Sequence, residues 1–257
     1  MSDFQESALE LAHLLSQSRR VVAFTGAGIS TSAGLPDFRG PDGIYQRAGL
    51  ENPEEIFDIE TFRRDPSIFY KFHREFLRIL KDVEPTFTHR FLAQEERRGR
   101  LQGVVTQNID ALHQRGGSRR VLEVHGSVWG SHCTRCRTTY DYQISVVKTL
   151  REEIPRCESC RGVLKPDVVF FGEAVNHMEE SERLAEEADL MLVLGTALAV
   201  RPAAMLPALC SGKIVVVNKG ELFPHALPRS RVHLFVDGEL DPFFQAVASH
   251  LEPSPEP

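Results

Sequence analysis

Four of the five cysteines form the pairs Cys133-x-x-Cys136 and Cys157-x-x-Cys160, with twenty residues between them. Each pair sets two thiolates on one tight turn, and two such turns brought together supply the tetrahedral sulfur site that structural zinc prefers. Four cysteine ligands leave no position open for water or substrate. The Zn2+ is therefore expected to hold a small module together and to take no part in catalysis. Disulfides are the weaker explanation in a reducing cytosol. Cys210 falls in a helical stretch and reads as a small buried hydrophobe.

A second group follows the apolar run Val21-Val22-Ala23-Phe24: Gly26, Ala27, Gly28, Ser30, Thr31, Ser32 and Gly34. Glycines admit a pyrophosphate with no Cβ in the way, and a helix begun at Ser30 or Thr31 would aim free N–H groups at the anion. The dinucleotide fingerprint is incomplete, however. Thr31 stands where a third glycine belongs, and the turn-rich Pro36-Asp37-Phe38-Arg39-Gly40 replaces a second strand ending in an acid. A tight strand-to-helix turn with no ligand is the plain alternative.

Polar residues gather at other strand ends, where α/β proteins place their chemistry. Gln107, Asn108 and Asp110 follow the run Leu101 to Thr106, and His125 sits at a strand-to-turn junction before Gly126. Asn218, followed by Lys219, could bond a ribose or cap a turn. Gly195 and Thr196 could offer N–H groups and a hydroxyl to a phosphate, or only turn the chain.

The elements that must hold these groups alternate. Helical spacing covers Ser7 to Ser16, stretches within Asn52 to Leu80, Thr88 to Glu96, Met178 to Glu187, Ala203 to Cys210 and Pro242 to His250. Strand runs are read at Val21, Leu101, Val121, Asp167 to Phe171, Leu190 to Leu194, Lys213 to Val217 and His233 to Val236. This rhythm predicts an α/β fold, a parallel sheet covered on both faces with ligands at the C-terminal strand ends. The stripe Phe62, Phe69, Phe72, Phe76 and Leu80 reads as core. The tail EPSPEP, 251–257 with its flank, is expected to be disordered.

The 257 residues suit one large domain or one domain with an insertion. No apolar run is long enough for a membrane span. The acidic, amphipathic start fits neither a secretory signal nor a transit peptide, which points to the cytoplasm. A formal net charge of −6 argues against broad nucleic-acid binding and leaves basic protein segments as partners.

Taken together, GAGISTSAGLPDFRG, TQNIDALH, VLEVHG, the paired Cys-x-x-Cys motifs, VVFFGE, LGTAL and VVN, in this order, resemble the sirtuins, the NAD-dependent protein lysine deacylases. The similarity runs from about Leu9 to Ala248. It implies a Rossmann-like NAD-binding domain (1–40, 85–126 and 167–250) with a smaller inserted domain, made of a helical insertion (41–84) and a four-cysteine zinc module (127–166). It also implies a consumed NAD co-substrate, acyl-lysine proteins or peptides as substrates, a monomer, and free lysine, nicotinamide and O-acyl-ADP-ribose as products.

Residue roles follow from the same resemblance. Gly26, Ala27, Gly28 and Thr31 would meet the NAD phosphates and ribose, with Gly195 and Thr196 nearby, while Asp37, Phe38 and Arg39 would lie on the loop over the nicotinamide ribose. Gln107, Asn108 and Asp110 would bind that ribose and the nicotinamide amide, with His125 as general base accepting a proton from a ribose hydroxyl. Asn218, Lys219, Gly238 and Leu240 would hold the adenosine end. Val169, Phe170, Phe171, Gly172 and Glu173, opposite Leu198 to Val200, would clasp the substrate peptide as an added strand.

Two departures stand out. Ala197 replaces a serine common in the family, so one hydroxyl near the NAD phosphates is missing. A branch that removes acidic acyl groups carries Tyr-x-x-Arg in the helical insertion, where this chain has Tyr70 and His73. Without the arginine fork a succinyl carboxylate loses a bidentate partner, so acetyl or other neutral acyl groups are expected. Three rival readings keep parts of the site: a mono-ADP-ribosyltransferase, a non-catalytic NAD-sensing module, and a hydride-transferring dehydrogenase that the incomplete fingerprint disfavours.

Overall fold

Val21 through Thr25 are all buried, and their side chains alternate between two cores: Val21 and Ala23 enter one, Val22 and Phe24 the other. A strand covered on both faces demands this continuous apolar pattern. The computed structural model describes residues 3–37, 43–47, 52–223 and 225–251.

In chain order, α1 (Asp3–Gln17) leads into β1 (Val21–Thr25) and a 3₁₀ helix at Ala27–Ala33. Then come α2 (Ile44–Arg47), a 3₁₀ turn at Pro53–Phe57, α3 (Ile59–Arg64), α4 (Ser67–Leu80), α5 (Phe87–Arg97), β2 (Leu101–Thr106), α6 (Leu112–Arg115) and β3 (Val121–Glu123). A local excursion follows in β4 (Gly126–Cys133), β5 (Thr139–Asp141), α7 (Tyr142–Arg151) and β6 (Leu164–Val168). The rhythm resumes with α8 (Met178–Glu187), β7 (Leu190–Leu194), a 3₁₀ helix at Ala203–Leu209, β8 (Lys213–Asn218), β9 (Val232–Asp237) and α9 (Leu240–His250).

The main sheet is parallel throughout, in the order β3-β2-β1-β7-β8-β9. The chain runs outward from β1 through β2 to β3, then returns to place β7 on the opposite flank of β1. That is the strand order of a Rossmann-like sheet, and the reversal between β1 and β7 opens a crevice at their C-terminal ends. One face is covered by α1, α5 and α9, with Leu11, Leu92, Phe243 and Phe244 buried against it. The other face packs Leu184, Ala203 and Leu206 from α8 and the second 3₁₀ helix, with Cys210 just past that helix, and Cys210 is fully buried as expected.

A smaller antiparallel sheet has the order β5-β4-β6. The sequence pattern places a parallel strand at Asp167 to Phe171. Instead the strand begins at Leu164, ends at Val168 and pairs with β4. The smaller sheet therefore runs past residue 166. The phenylalanines of α3 and α4 form a third core with Phe57 and Phe170: Phe62, Phe69, Phe76 and Leu80 are buried and Phe72 partly so. Among the described residues no helix is long and apolar enough to cross a membrane.

Candidate active site

The crevice at the β1/β7 reversal is a cavity of about 1190 Å³. Its floor is a close approach of two backbones. The Gly26 N–H donates to Leu194 O at 3.0 Å and the Gly28 N–H to Gly195 O at 2.8 Å. A Cβ on Gly28 would lie 2.7 Å from the Gly195 Cα, and one on Gly195, whose φ is +60°, would lie 2.5 Å from the Ile29 nitrogen. These glycines thus admit the protein's own chain first, and the cradle they leave is lined by Gly26, Ala27, Gly28 and Thr31. No helix starts at Ser30 or Thr31. A 3₁₀ helix already runs from Ala27 to Ala33 and ends at Gly34 in the left-handed conformation. Asp37 lines the cavity mouth, whereas Phe38 and Arg39 lie outside the described residues.

Beyond the end of β2, Gln107 and Asn108 line the cavity and Asp110 does not. Asp110 is 5% exposed, and its carboxylate is turned into the protein. Oδ2 accepts from Ser30 Oγ at 2.7 Å and Asn108 Nδ2 at 3.3 Å, while Oδ1 accepts from the Leu112 N–H at 2.9 Å. Burial pushes its pKa up and these bonds pull it back. From behind the cavity wall its carboxylate thus holds the Asn108 amide in place. Ser30, which also accepts from Asn108 Nδ2 at 3.3 Å, completes the triangle. Its residue type and its place in the glycine-rich turn were the only sequence signals for this part.

His125 lines the cavity at the far end of the sheet. Its Nδ1 lies 3.1 Å from Gln107 O, and a carbonyl can only accept, so Nδ1 carries the hydrogen and Nε2 the lone pair. That Nε2 is buried with no hydrogen-bond partner among the described residues. Burial lowers the imidazole pKa from its ordinary value, with the Gln107 carbonyl opposing. A neutral base with a bare nitrogen results. The Gln107 side chain in turn donates to Thr196 Oγ1 at 2.9 Å, tying the end of β2 to that of β7.

Gly195, Thr196 and Ala197 line the cavity beside the glycine cradle. At the opposite end stand Asn218, Lys219, Gly238 and Leu240. Asn218 Nδ2 donates to the carbonyls of Lys219 and Gly220 at 3.3 and 3.1 Å, so its amide nitrogen caps the turn while the residue faces the cavity. Lys219 Nζ pairs with Glu239 Oε1 at 2.7 Å.

Val169 to Glu173 form one lip, with Ala199 and Val200 across from them. Leu198 is not on that lip: at 1% exposure it packs into the core beneath. The N–H groups of Val169, Phe170 and Phe171 are all taken, by His125 O at 2.8 Å, Glu173 Oε2 at 2.9 Å and Phe57 O at 2.7 Å. An added strand here must use other backbone groups of the lip. Tyr70 and His73 also lie behind the wall, at 1% and 3% exposure. The Tyr70 hydroxyl donates to Leu164 O at 2.6 Å. His73 stacks on Phe69 with centroids 5.0 Å apart, and burial holds its pKa at about 3. Uncharged and enclosed, neither offers a carboxylate partner to the cavity.

The four cysteines converge. Their sulfurs all lie within 4.8 Å of one another, with Cys133 to Cys160 at 3.4 Å and Cys136 to Cys157 at 3.6 Å. Disulfide bonds of about 2.05 Å are excluded by these separations. They approach the edge of about 3.8 Å that a tetrahedron with Zn–S of about 2.3 Å would have. The Arg135 and Cys136 N–H groups and the Tyr140 hydroxyl point at the sulfurs at 3.3, 3.4 and 3.2 Å, the donors a thiolate cluster needs. The set fits a structural zinc.

Residues 26–202 match the model of the Sir2 family. The chain is 42% identical over 217 residues to an NAD-dependent protein deacetylase of Thermotoga maritima, covering 82% of this chain and 87% of that protein. It is 39% identical over 251 residues to an NAD-dependent protein deacetylase of Sulfolobus acidocaldarius, covering 96% of each. Among solved structures, one described as Sir2 with p53 peptide and NAD+ superposes with a TM-score of 0.83 at 38% identity, covering 93% of this chain and 96% of that one. Another, Sir2 bound to acetylated peptide, gives 0.78 at 35% identity over 94% of each. Sheet order, glycine cradle, thiolate cluster and these likenesses agree, and the chain belongs to the Sir2 family.

Proposed function

We infer that this chain is an NAD-dependent protein deacylase, which removes acetyl or another neutral acyl group from lysine side chains and yields free lysine, nicotinamide and O-acyl-ADP-ribose. The observation that carries this reading is the bare Nε2 of His125 at the cavity wall, in a tautomer set by Gln107 O.

The residues fit NAD. The cavity, about 1190 Å³, exceeds the roughly 300 to 1,000 Å³ of ordinary small-molecule pockets, and it runs along the C-terminal strand ends from His125 to Gly238. Gly26, Ala27, Gly28 and Thr31, with Gly195 and Thr196, would hold the phosphates, and Asn218, Lys219, Gly238 and Leu240 the adenosine end. Gln107 and Asn108 would face the nicotinamide half. Bound there, NAD supplies an electrophilic ribose carbon with nicotinamide as its leaving group.

The chain's own residues do the rest. His125 Nε2 accepts a proton from a hydroxyl brought to it, Asp110 and Ser30 hold the Asn108 amide in place, and the lip of Val169 to Glu173 with Val200 aligns the peptide. Neutral acyl groups are favoured because the enclosed, uncharged His73 and the engaged Tyr70 hydroxyl cannot pair with an acyl carboxylate. The zinc, with no open position, holds the Cys133 and Cys157 turns together.

The dinucleotide part is assigned to 1–40, 85–126 and 167–250, the helical insertion to 41–84 and the zinc module to 127–166, with β6 carrying the smaller sheet on to Val168. A four-thiolate site persists best in a reducing compartment, which supports a cytoplasmic setting.

The deciding experiment is turnover of acetyl, succinyl and long-chain acyl-lysine peptides with NAD, with products identified by mass spectrometry. O-acyl-ADP-ribose from a neutral acyl peptide is the expected product. An ADP-ribosylated protein in its place would establish the transferase reading, and no nicotinamide release would leave only a binding module.

A further inference from the structure

Lys165 on β6 is the most deeply enclosed ammonium in an ion pair of the described residues, with 4% of its side chain exposed. It does not line the cavity, and nothing in the chemistry above uses it. Its Nζ donates to Val168 O at 2.7 Å, meets Glu173 Oε2 at 2.8 Å and sits 4.2 Å from the centroid of the Phe170 ring. Glu173 Oε2 also accepts the Phe170 N–H at 2.9 Å, and the Glu173 N–H donates back to Phe170 O at 3.0 Å. One cation thus grips a carbonyl, a ring and a carboxylate along Val168 to Glu173, the lip of the cavity.

Stability alone does not account for this arrangement. Burying an ion pair is often no better than a well-packed apolar residue of the same length, and a methionine could fill the space beside Phe170. A buried cation with directed partners does what a thioether cannot: it fixes the direction of Val168 O and the rotamer of Glu173. Val169 O and the Gly172 backbone lie between those two points, so their aim follows.

We propose that Lys165 is a positioning residue for the acyl-lysine peptide, holding the Val168 to Glu173 turn in the conformation that receives the substrate backbone. The proposal rests on the deacylase reading and on that lip as the peptide site. It also gives the sulfur cluster a route to the substrate, because Cys133 pairs with Leu164, the neighbour of Lys165 on β6.

The test is steady-state kinetics of Lys165→Met and Lys165→Arg, varying acetyl-lysine peptide and NAD separately, with thermal melting alongside. For Lys165→Met the peptide KM is expected to rise about tenfold while kcat and the KM for NAD stay within about twofold. Lys165→Arg, which keeps charge and directed donors, should recover most of that loss. A peptide KM unchanged in Lys165→Met overturns the proposal. So does a fall in kcat that tracks the melting temperature with both KM values unchanged, which is what a purely structural role predicts. Should Lys165→Met not fold, Lys165→Gln carries the same test, with the same selective rise expected and an unchanged peptide KM fatal. Wild-type protein is the control: if it turns over no acyl peptide, the deacylase reading itself fails.

Discussion

The side chain of His125 hangs from the backbone of Gln107, Nδ1 to carbonyl at 3.1 Å, while the carbonyl of His125 accepts the Val169 N–H at 2.8 Å. One residue therefore joins the end of β2 to the start of the peptide lip, and its orientation depends on both. The hydrogen on Nδ1 is what leaves Nε2 free to take a proton.

His125→Ala should lower kcat/KM by about 10² to 10⁴, the usual worth of a general base. Melting temperature and zinc content should not change, and turnover near wild type would remove His125 from the mechanism. The pH profile adds a second check. Burial lowers the imidazole below its ordinary 6.5, so the base remains neutral as pH falls through 6.5 and the acid limb of kcat/KM belongs below that value. An acid limb above 6.5 would contradict the assignment.

Ser30→Ala breaks the bonds to Asp110 Oδ2 and Asn108 Nδ2. Losing a hydrogen bond to a charged group costs about 1.5 to 3 kcal/mol, so kcat/KM should drop by roughly tenfold or more. Because both residues act through Asn108, Ser30→Ala combined with Asp110→Asn should cost little more than Asp110→Asn alone. Additive losses in that double-mutant cycle would show that the two act independently.

Cys157→Ser, at a fully buried ligand position, should abolish stoichiometric zinc and loosen the β4–β6 pairing. Peptide affinity is then expected to fall well before NAD affinity, since β6 feeds the lip and the main sheet holds the glycine cradle. Titration of each ligand by calorimetry checks this, and equal losses would argue against the separation.

Acid should destabilise the protein through buried neutral histidines. His73 and His89 have folded pKa values of about 3 against an ordinary 6.5. Stability is therefore complete above 6.5 and is lost as pH falls toward 3, because the unfolded chain binds the proton first. The slope is about 1.4 kcal/mol per pH unit per histidine. His73→Phe, which keeps the stack on Phe69, should lose stability less steeply than wild type between pH 6.5 and 4 in urea unfolding. An equal slope would show that His73 is protonated in the fold.

Much of this was legible without coordinates. The cysteine spacing implied the sulfur cluster, and apolar runs ending in glycine or polar residues located Gly26, Gln107, His125, Gly195 and Asn218, all of which line the cavity. Strand ends are local events, set by where an apolar run meets a turn residue, and in a parallel sheet those ends share one edge. The amphipathic spacing of α4 likewise marked its buried face.

The amino-acid sequence by itself thus determined which residue types stand at the C-terminal edge of the sheet and that two cysteine turns must meet. Which way each side chain points was decided only by packing between distant segments. Asp110 faces Ser30, eighty positions away. Leu198 turns inward, Tyr70 is engaged by Leu164, and β6 pairs with β4 instead of joining the parallel sheet. The N–H groups of Val169 to Phe171 are claimed by His125, Glu173 and Phe57. Each outcome turns on satisfying a buried polar group or filling a core from another part of the chain, and neighbouring residues carry no record of that partner.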